Sequence, residues 1–401
     1  MNLKTFDLII VGAGLAGLSL AHCLRKNHPH WNIKIIDQAP HFSPDKTWSF
    51  HHHDLQNFEL WKDFISYSWP RYEVQFSYTR LMNEPYYTIN SQDFFAKMQN
   101  SVGGMIEWGV KAIEIHSQHV VTLNLKTQET ETLHAKLVID ARQVNKSSSF
   151  AEMEEKGWGF QKFWGLEVKT QEPHGLTHPI LMDATVEQKD GYRFIYLLPY
   201  SESTLLIEDT RYSNRAFLED GTEDVLTYAR QKNWVVEKIL RTESGVLPIP
   251  MRANLLNSGA LIVAGQEPAK EVLKIGTRAG FFHPVTGYSF LWSTLVAEKL
   301  AQINEPDYEK YAAALEQLHQ ERLKTESFYF ILNRMLFHGA APEIRKNIFQ
   351  RFYKLPDKTI SRFYAARTNW PDRIRILVGK PPIPVKSAIK SLTQNYKEVV
   401  L

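Results

Sequence analysis

Two adjacent carboxylates are the side chains best suited to chemistry in this chain. Glu208 and Asp209 follow the apolar run Leu205, Leu206 and Ile207 and precede Thr210. On a pleated strand neighbours point to opposite faces, so the two cannot form a side-by-side acid dyad. Two readings stay open from this stretch alone. One acid enters a cavity while the other braces the backbone, or both are solvated on an edge strand. Asp140, at the end of the apolar run 137–139, is a further site candidate of a common kind. The consecutive histidines 51, 52 and 53 lack the one-sided spacing that metal ligation needs, so no metal is expected and they read as a polar loop.

A second chemistry is written in glycines. An apolar run over residues 6–11 leads into Gly12-Ala13-Gly14-Leu15-Ala16-Gly17, helical spacing follows over 18–25, and a strand over 33–36 ends on Asp37. Gly12 permits the tight turn, Gly14 lets a pyrophosphate reach the backbone, and Gly17 packs helix on strand. The helix N-terminus faces the anion, and Asp37 takes a ribose hydroxyl. Together these parts predict dinucleotide binding. The loop 275–289 carries Gly276, Gly280, Pro284 and Gly287 before a helical stretch over 290–300. It can approach a flat cofactor closely and aim a helix N-terminus at it.

Elements of two kinds must position these groups. Residues 106–140 alternate in strand fashion, with a hairpin pairing 120–125 with 133–135, and 137–140 return to the nucleotide sheet. From about Gly159 the segments 164–169, 179–185, 192–200 and 204–212 are strand-like with short turns, as in an antiparallel sheet. A helix capped near Ser91 to Asp93 is expected to end at Gly103 and Gly104. Residues 245–250 lead back, 261–265 read as a buried strand, and from Tyr308 the pattern is helical. The expected fold is therefore α/β, with a Rossmann-like dinucleotide domain over 1–160 and 245–305, an antiparallel-sheet substrate domain over 161–244, and a C-terminal helical region over 306–401.

Composition narrows the class. The 401 residues are 43% hydrophobic and 23% charged, which suits a soluble globular protein of two lobes sharing a cleft. Ten Trp, 17 Tyr and 22 Phe suit either a large core or an enzyme handling a conjugated apolar molecule. Cys23 is the only cysteine, which excludes internal disulfides and points to a reducing compartment, the cytoplasm. No apolar run approaches membrane-spanning length. A net charge of +3 is too slight to imply nucleic acid, but residues 344–397 hold thirteen Lys or Arg against two acids. Interleaved with aromatics, they read either as a solvated helical face or as a surface docking on anionic lipid.

With these pieces placed, the chain resembles the bacterial lycopene beta-cyclases, a branch of the FAD-dependent flavoproteins. The likeness runs over nearly the whole length. It rests on residues 11–17, Thr47-Trp48-Ser49-Phe50-His51, Met182-Asp183-Ala184-Thr185-Val186, Gly191-Tyr192-Arg193-Phe194 and residues 205–210. Arg278-Ala279-Gly280-Phe281-Phe282-His283-Pro284, Thr286-Gly287-Tyr288-Ser289, Asn333-Arg334-Met335-Leu336-Phe337 and Gly379-Lys380-Pro381-Pro382 complete it. Generic flavoproteins share only the first of these and the glycine loop.

The resemblance implies FAD, used in its reduced form and held by Gly12, Gly14, Gly17, Asp37, Gly276, Gly280 and Gly287. It implies NAD(P)H as reductant, lycopene as substrate, and a peripheral place on the inner face of the cell membrane. The reaction it implies is an isomerase-type, intramolecular-lyase cyclisation of ψ ends to β-ionone rings, with beta-carotene formed via gamma-carotene. The family's catalytic Glu falls on Glu208, and His283 and Asp209 are secondary proton carriers. Two departures stand out: Asp140-Ala141-Arg142-Gln143 replaces a common Asp-Gly-Arg-Gly, and Asp45-Lys46 replaces a frequent Asn-His. The rival readings are a net-redox isoprenoid reductase or hydroxylase, and a non-catalytic flavin-bearing membrane-surface protein.

Overall fold

A computed structural model of the chain describes residues 5–51, 55, 57–143, 146–252 and 272–378. The expected strand 261–265 lies outside them, as do His52, His53 and residues 379–382. The strand Thr5–Val11 pairs in parallel with Ile33–Asp37 on one side and with Thr130–Asp140 on the other. Leu8, Ile9 and Ile10 are all fully buried. Such an unalternating apolar run is what a parallel strand covered on both faces requires. The helix Leu15–Asn27 follows the glycine turn and seals one face with Leu18, Leu20, Ala21 and Leu24. Gly12 has φ +112°, and a Cβ on Gly17 would stand 2.0 Å from the Gly12 carbonyl oxygen. Strand and helix meet there without room for a side chain. The predicted hairpin is present, with Val120 opposite Leu133 in antiparallel register.

Among the described residues the second sheet has seven strands. Their order is Val236–Ile249, Gly159–Thr170, Thr204–Ser213, Tyr192–Pro199, Ile180–Asp183, Tyr72–Gln75 and Thr79–Met82. All neighbours are antiparallel except Ile180–Asp183 with Tyr72–Gln75. The strands Tyr72–Gln75 and Thr79–Met82 come from inside the span assigned to the nucleotide lobe, and Val236–Ile249 crosses position 245. Sheet membership thus interleaves more than the linear division at 160 and 245.

A small sheet of Thr47–His51, Tyr86–Asn90 and Tyr67–Trp69 ties the two large ones together. Phe50 stacks on Phe290 of the helix Phe290–Leu300 at 5.0 Å between ring centroids, while Tyr196 of the large sheet donates to Ser49 at 2.8 Å. The helix Ser91–Val102 begins where expected, but no side chain caps it. The Ser91 hydroxyl instead accepts the Lys46 backbone N–H at 3.0 Å, fixing the segment that enters the small sheet.

From Tyr308 the chain is helical as predicted, beginning with the long helix Tyr308–Arg334 capped by Asp307. Its Arg322 is buried and holds the glycine loop from behind. The guanidinium donates to the Gly280 carbonyl and, at 2.9 Å, to that of Phe282, pairs with Glu326 at 2.5 Å, and lies 5.0 Å from the Trp292 ring centroid. Removing one partner of a buried pair leaves the other uncompensated, at about 3–5 kcal/mol. Arg322→Met is expected to lower stability by that order in chemical denaturation. Adding Glu326→Leu should recover most of the loss, because it removes the stranded carboxylate.

Candidate active site

The strand Thr204–Ser213 is hydrogen-bonded on both sides, to Gly159–Thr170 and to Tyr192–Pro199, so it is no edge. Its two acids divide as pleating requires. Asp209 is buried on one face, clamped by Arg193 at 2.8 Å and Arg211 at 3.1 Å. Those guanidiniums make it a brace between neighbouring strands. Glu208 is 6% exposed on the other face, opposite Gly165 on one neighbour and Tyr196 on the other. The Thr210 hydroxyl, two residues on, donates to Glu208 Oε1 at 2.6 Å.

A third acid joins Glu208 from a strand away. Gly165 pairs with Glu208 on one side and Glu243 on the other, and a Cβ on Gly165 would meet Glu243 Cγ at 3.2 Å and Glu208 Cβ at 3.5 Å. The missing side chain opens a gap across which the two acidic side chains face each other. Glu243 is 4% exposed: the Arg241 guanidinium pairs with it at 2.5 Å and the neutral Thr47 hydroxyl donates to it at 2.8 Å. Burial, then the charge of Glu243, push the Glu208 carboxyl up to about 8. It is protonated at neutral pH.

These acids face a cavity of about 460 Å³ that continues to the glycine turn. At one end it is lined by Gly14, Leu15 and Asp37, and at the other by Tyr196, Glu208, Glu243 and Tyr288. Gly287 and the start of the helix Phe290–Leu300 form part of the wall between. Gly12, Gly17, Gly276 and Gly280 are not in the wall, and the first two shape the turn behind it. A Cβ on Gly14 would meet nothing within 4 Å, and no side chain caps the helix beyond it. Open space against uncapped N–H groups fits a pyrophosphate. Asp37 accepts from the Ala13 N–H at 2.7 Å and from the Ala39 N–H at 2.8 Å, so it also ties the turn to the second strand. A smaller chamber of about 60 Å³ shares Ser49, Tyr196 and Tyr288 and is walled by Tyr86, Tyr212 and Tyr364.

Other candidates have structural roles. Asp140 is fully buried, gripped by Arg142 at 2.8 Å and Arg278 at 3.4 Å beneath the glycine turn. His283 is buried with both ring nitrogens engaged: Nδ1 accepts from the Val285 N–H at 3.2 Å, and Nε2 bonds the Phe363 carbonyl at 3.1 Å. Its pKa is pushed down to about 4 by burial, so it holds the loop as a neutral ring. His51 packs on Tyr72, Tyr86 and Tyr364. Sequence reasoning missed Glu243 and Gly165. The alternation of Arg241, Glu243 and Gly245 on one face was the available signal.

Comparison with known proteins agrees with this layout. The family described as lycopene cyclase protein matches residues 7–390. The lycopene beta-cyclase of Pantoea ananas is 37% identical over 397 residues, covering 98% of this chain and 99% of its own. Among solved structures, a geranylgeranyl bacteriochlorophyll reductase-like protein from Thermoplasma acidophilum superposes with a TM-score of 0.64 at 14% identity, over 94% of this chain and 99% of its own. A flavin-dependent brominase gives 0.55 at 12% identity, over 90% and 94%. The two structures share the fold. The full-length family match and the relative's identity settle the rest: this chain belongs to the lycopene cyclase family.

Proposed function

We propose that the protein is a lycopene beta-cyclase, converting the acyclic ψ ends of lycopene to β-ionone rings without net redox change. The observation that carries this reading is a buried Glu208, protonated near neutral pH, at the end of a cavity that starts at a dinucleotide turn. A carboxylic acid poised to protonate is what an isomerising cyclase needs first. Glu208 gives a proton to a terminal alkene carbon, a second double bond attacks the resulting cation and closes the ring, and loss of a ring proton sets the β double bond. One proton enters and one leaves, so product and substrate are isomers. The cation has no hydrogen-bonding handle, and the faces of Tyr196 and Tyr288 offer it negative quadrupole potential. Gly14, Asp37 and Gly287 would hold FAD, reduced by NAD(P)H, which would supply negative potential beside the cation.

The substrate lives in the bilayer, and the last described helix, Trp370–Leu377, offers a docking face. Trp370 is 74% exposed, Ile374 55% and the adjoining Val378 65%, with Arg375 also exposed. Among the described residues no helix is long and apolar enough to cross a membrane. An apolar stripe flanked by cations suits peripheral attachment to anionic lipid, each cation near the surface contributing about 1 kcal/mol.

The decisive assay is anaerobic, with lycopene in liposomes, FAD and NADPH. Ring-containing products of unchanged mass, with NADPH use far below product formed, are expected. A mass shift by hydrogen or oxygen would select a reductase or hydroxylase, and unchanged lycopene a binding protein. Glu208→Gln should lower turnover by about 10²–10⁴-fold, the usual worth of a general acid, while the flavin stays bound. Activity of the unaltered protein should fall as pH rises through about 8, where Glu208 ionises.

The same carboxyl binds its proton more tightly folded than unfolded, where its pKa is near 4.5. Its contribution to stability is therefore full below about 4.5 and lost as pH rises to about 8. Glu208→Gln should then melt higher than the parent above pH 8, but not at pH 5. Replacing Trp370 by Ala and Ile374 by Ser together should reduce co-sedimentation with anionic liposomes and turnover of liposomal lycopene, leaving flavin content unchanged.

A further inference from the structure

The geometry points to Glu243 as a positioning residue for the acid: anchored by Arg241 and Thr47, it faces Glu208 through the gap at Gly165 and shares a single proton with it. This inference rests on Glu208 being the proton donor. Strands two apart are separated by roughly 9–10 Å, too far for carboxyl groups to meet over an intervening side chain. Gly165 removes that obstacle at the one register position where both acids stand opposite it. Two carboxyls brought face to face in this way can hydrogen-bond only when one of them carries a proton.

The surroundings decide which carboxyl holds it. Every cationic contact falls on the Glu243 side. Arg241 pairs with Glu243 at 2.5 Å and with Glu167 at 3.0 Å, the Thr47 hydroxyl donates to Glu243 at 2.8 Å, and Lys46 adds positive potential. Glu208 faces the Thr210 hydroxyl, Tyr196 from the next strand and Tyr288 from the glycine loop. Asp209 on its own strand adds negative potential from the opposite face, where Arg193 and Arg211 neutralise it. Two like acids in unlike surroundings separate into one that keeps its charge and one that keeps its proton. Burial raises the Glu243 carboxyl as well, but Arg241, Thr47 and Lys46 oppose that shift and among the described residues no cation does so at Glu208, so of the two it is Glu208 that keeps the proton. Losing the proton from Glu208 would leave two carboxylates facing each other, so the pair opposes premature ionisation of the donor.

The assignment makes two predictions of opposite sign. Glu243→Gln removes the neighbouring negative charge, so the alkaline limb of the cyclisation pH profile should move down by roughly one pH unit or more. Arg241→Gln removes the cation from the far side, and the limb should move up. The infrared carbonyl stretch of the protonated Glu208 carboxyl, identified by its loss in Glu208→Gln, should titrate with the same two shifts in the absence of substrate. A residue that only supports the fold would lower turnover without moving either readout. Limbs and bands that stay in place in both variants, or shift together in one direction, would overturn the pairing. Should Glu243→Gln lose its flavin, Arg241→Gln decides alone, by an upward shift or its absence. An active Glu208→Gln protein would instead remove the donor assignment itself, whatever the other two variants do.

Discussion

Keeping a proton on a carboxyl group out of water, next to another carboxyl group, is the constraint on which the proposed active site depends. Burial alone raises a carboxyl pKa, but it also favours collapse of the site or pairing with any cation in reach. The large sheet prevents both. Glu208 is carried on an inner strand whose backbone is paired on each side, so the side chain cannot swing out to solvent. The nearby guanidiniums are already committed, Arg193 and Arg211 to Asp209 on the opposite face, Arg241 to Glu243 and Glu167. The acid is kept neutral by what its neighbours are busy holding.

That arrangement would be idle without a cavity reaching it. The small sheet carries residues of both ends: Thr47 bonds Glu243, Ser49 accepts from Tyr196, and Phe50 stacks on the helix that follows the glycine loop. Three residues of one short strand thereby help set the distance between glycine turn and acid. Arg322 fixes the opposite wall by gripping the carbonyls of Gly280 and Phe282, and the loop carries Tyr288 to the cavity. The motif Thr47–His51 thus lies at a junction between sheets, where a change in either partner would shift the acid relative to the glycine turn.

What could be read from the chain divides by range. The glycine turn, the parallel strands and the helix Phe290–Leu300 are local patterns, and they form where the spacing placed them. The choice between a buried and a solvated Glu208 needed both of the strand's neighbours, one of which, Gly159–Thr170, pairs with it from more than thirty positions away. Glu243 was harder still. In Arg241-Thr242-Glu243-Ser244-Gly245 it looks like one more polar residue of an outer strand, and only the register through Gly165 brings it to Glu208. His283 erred in the other direction: a histidine in a functional loop suggests a proton carrier, yet both nitrogens are spent on backbone groups. Sequence reveals which residues can titrate, but not which have been used to hold the chain.

An isomerising cyclase meets opposite demands in turn, a proton donor strong enough to attack an alkene and surroundings that do not then capture the cation. A site rich in free carboxylates would meet the first demand poorly and fail the second, since a carboxylate oxygen can add to a carbocation as water does. Splitting the roles resolves this. Both carboxyls line the cavity, and in the proposed pairing Glu208 keeps the proton while Glu243, two strands away, keeps the charge beside Arg241 and Thr47. In the proposed reaction the cation would meet the negative potential of Glu243 and the rings of Tyr196 and Tyr288, which line the same cavity. Gly165 keeps these groups in electrostatic contact across an otherwise closed strand. Its lack of a side chain therefore contributes to the chemistry as directly as the acids on either side of it.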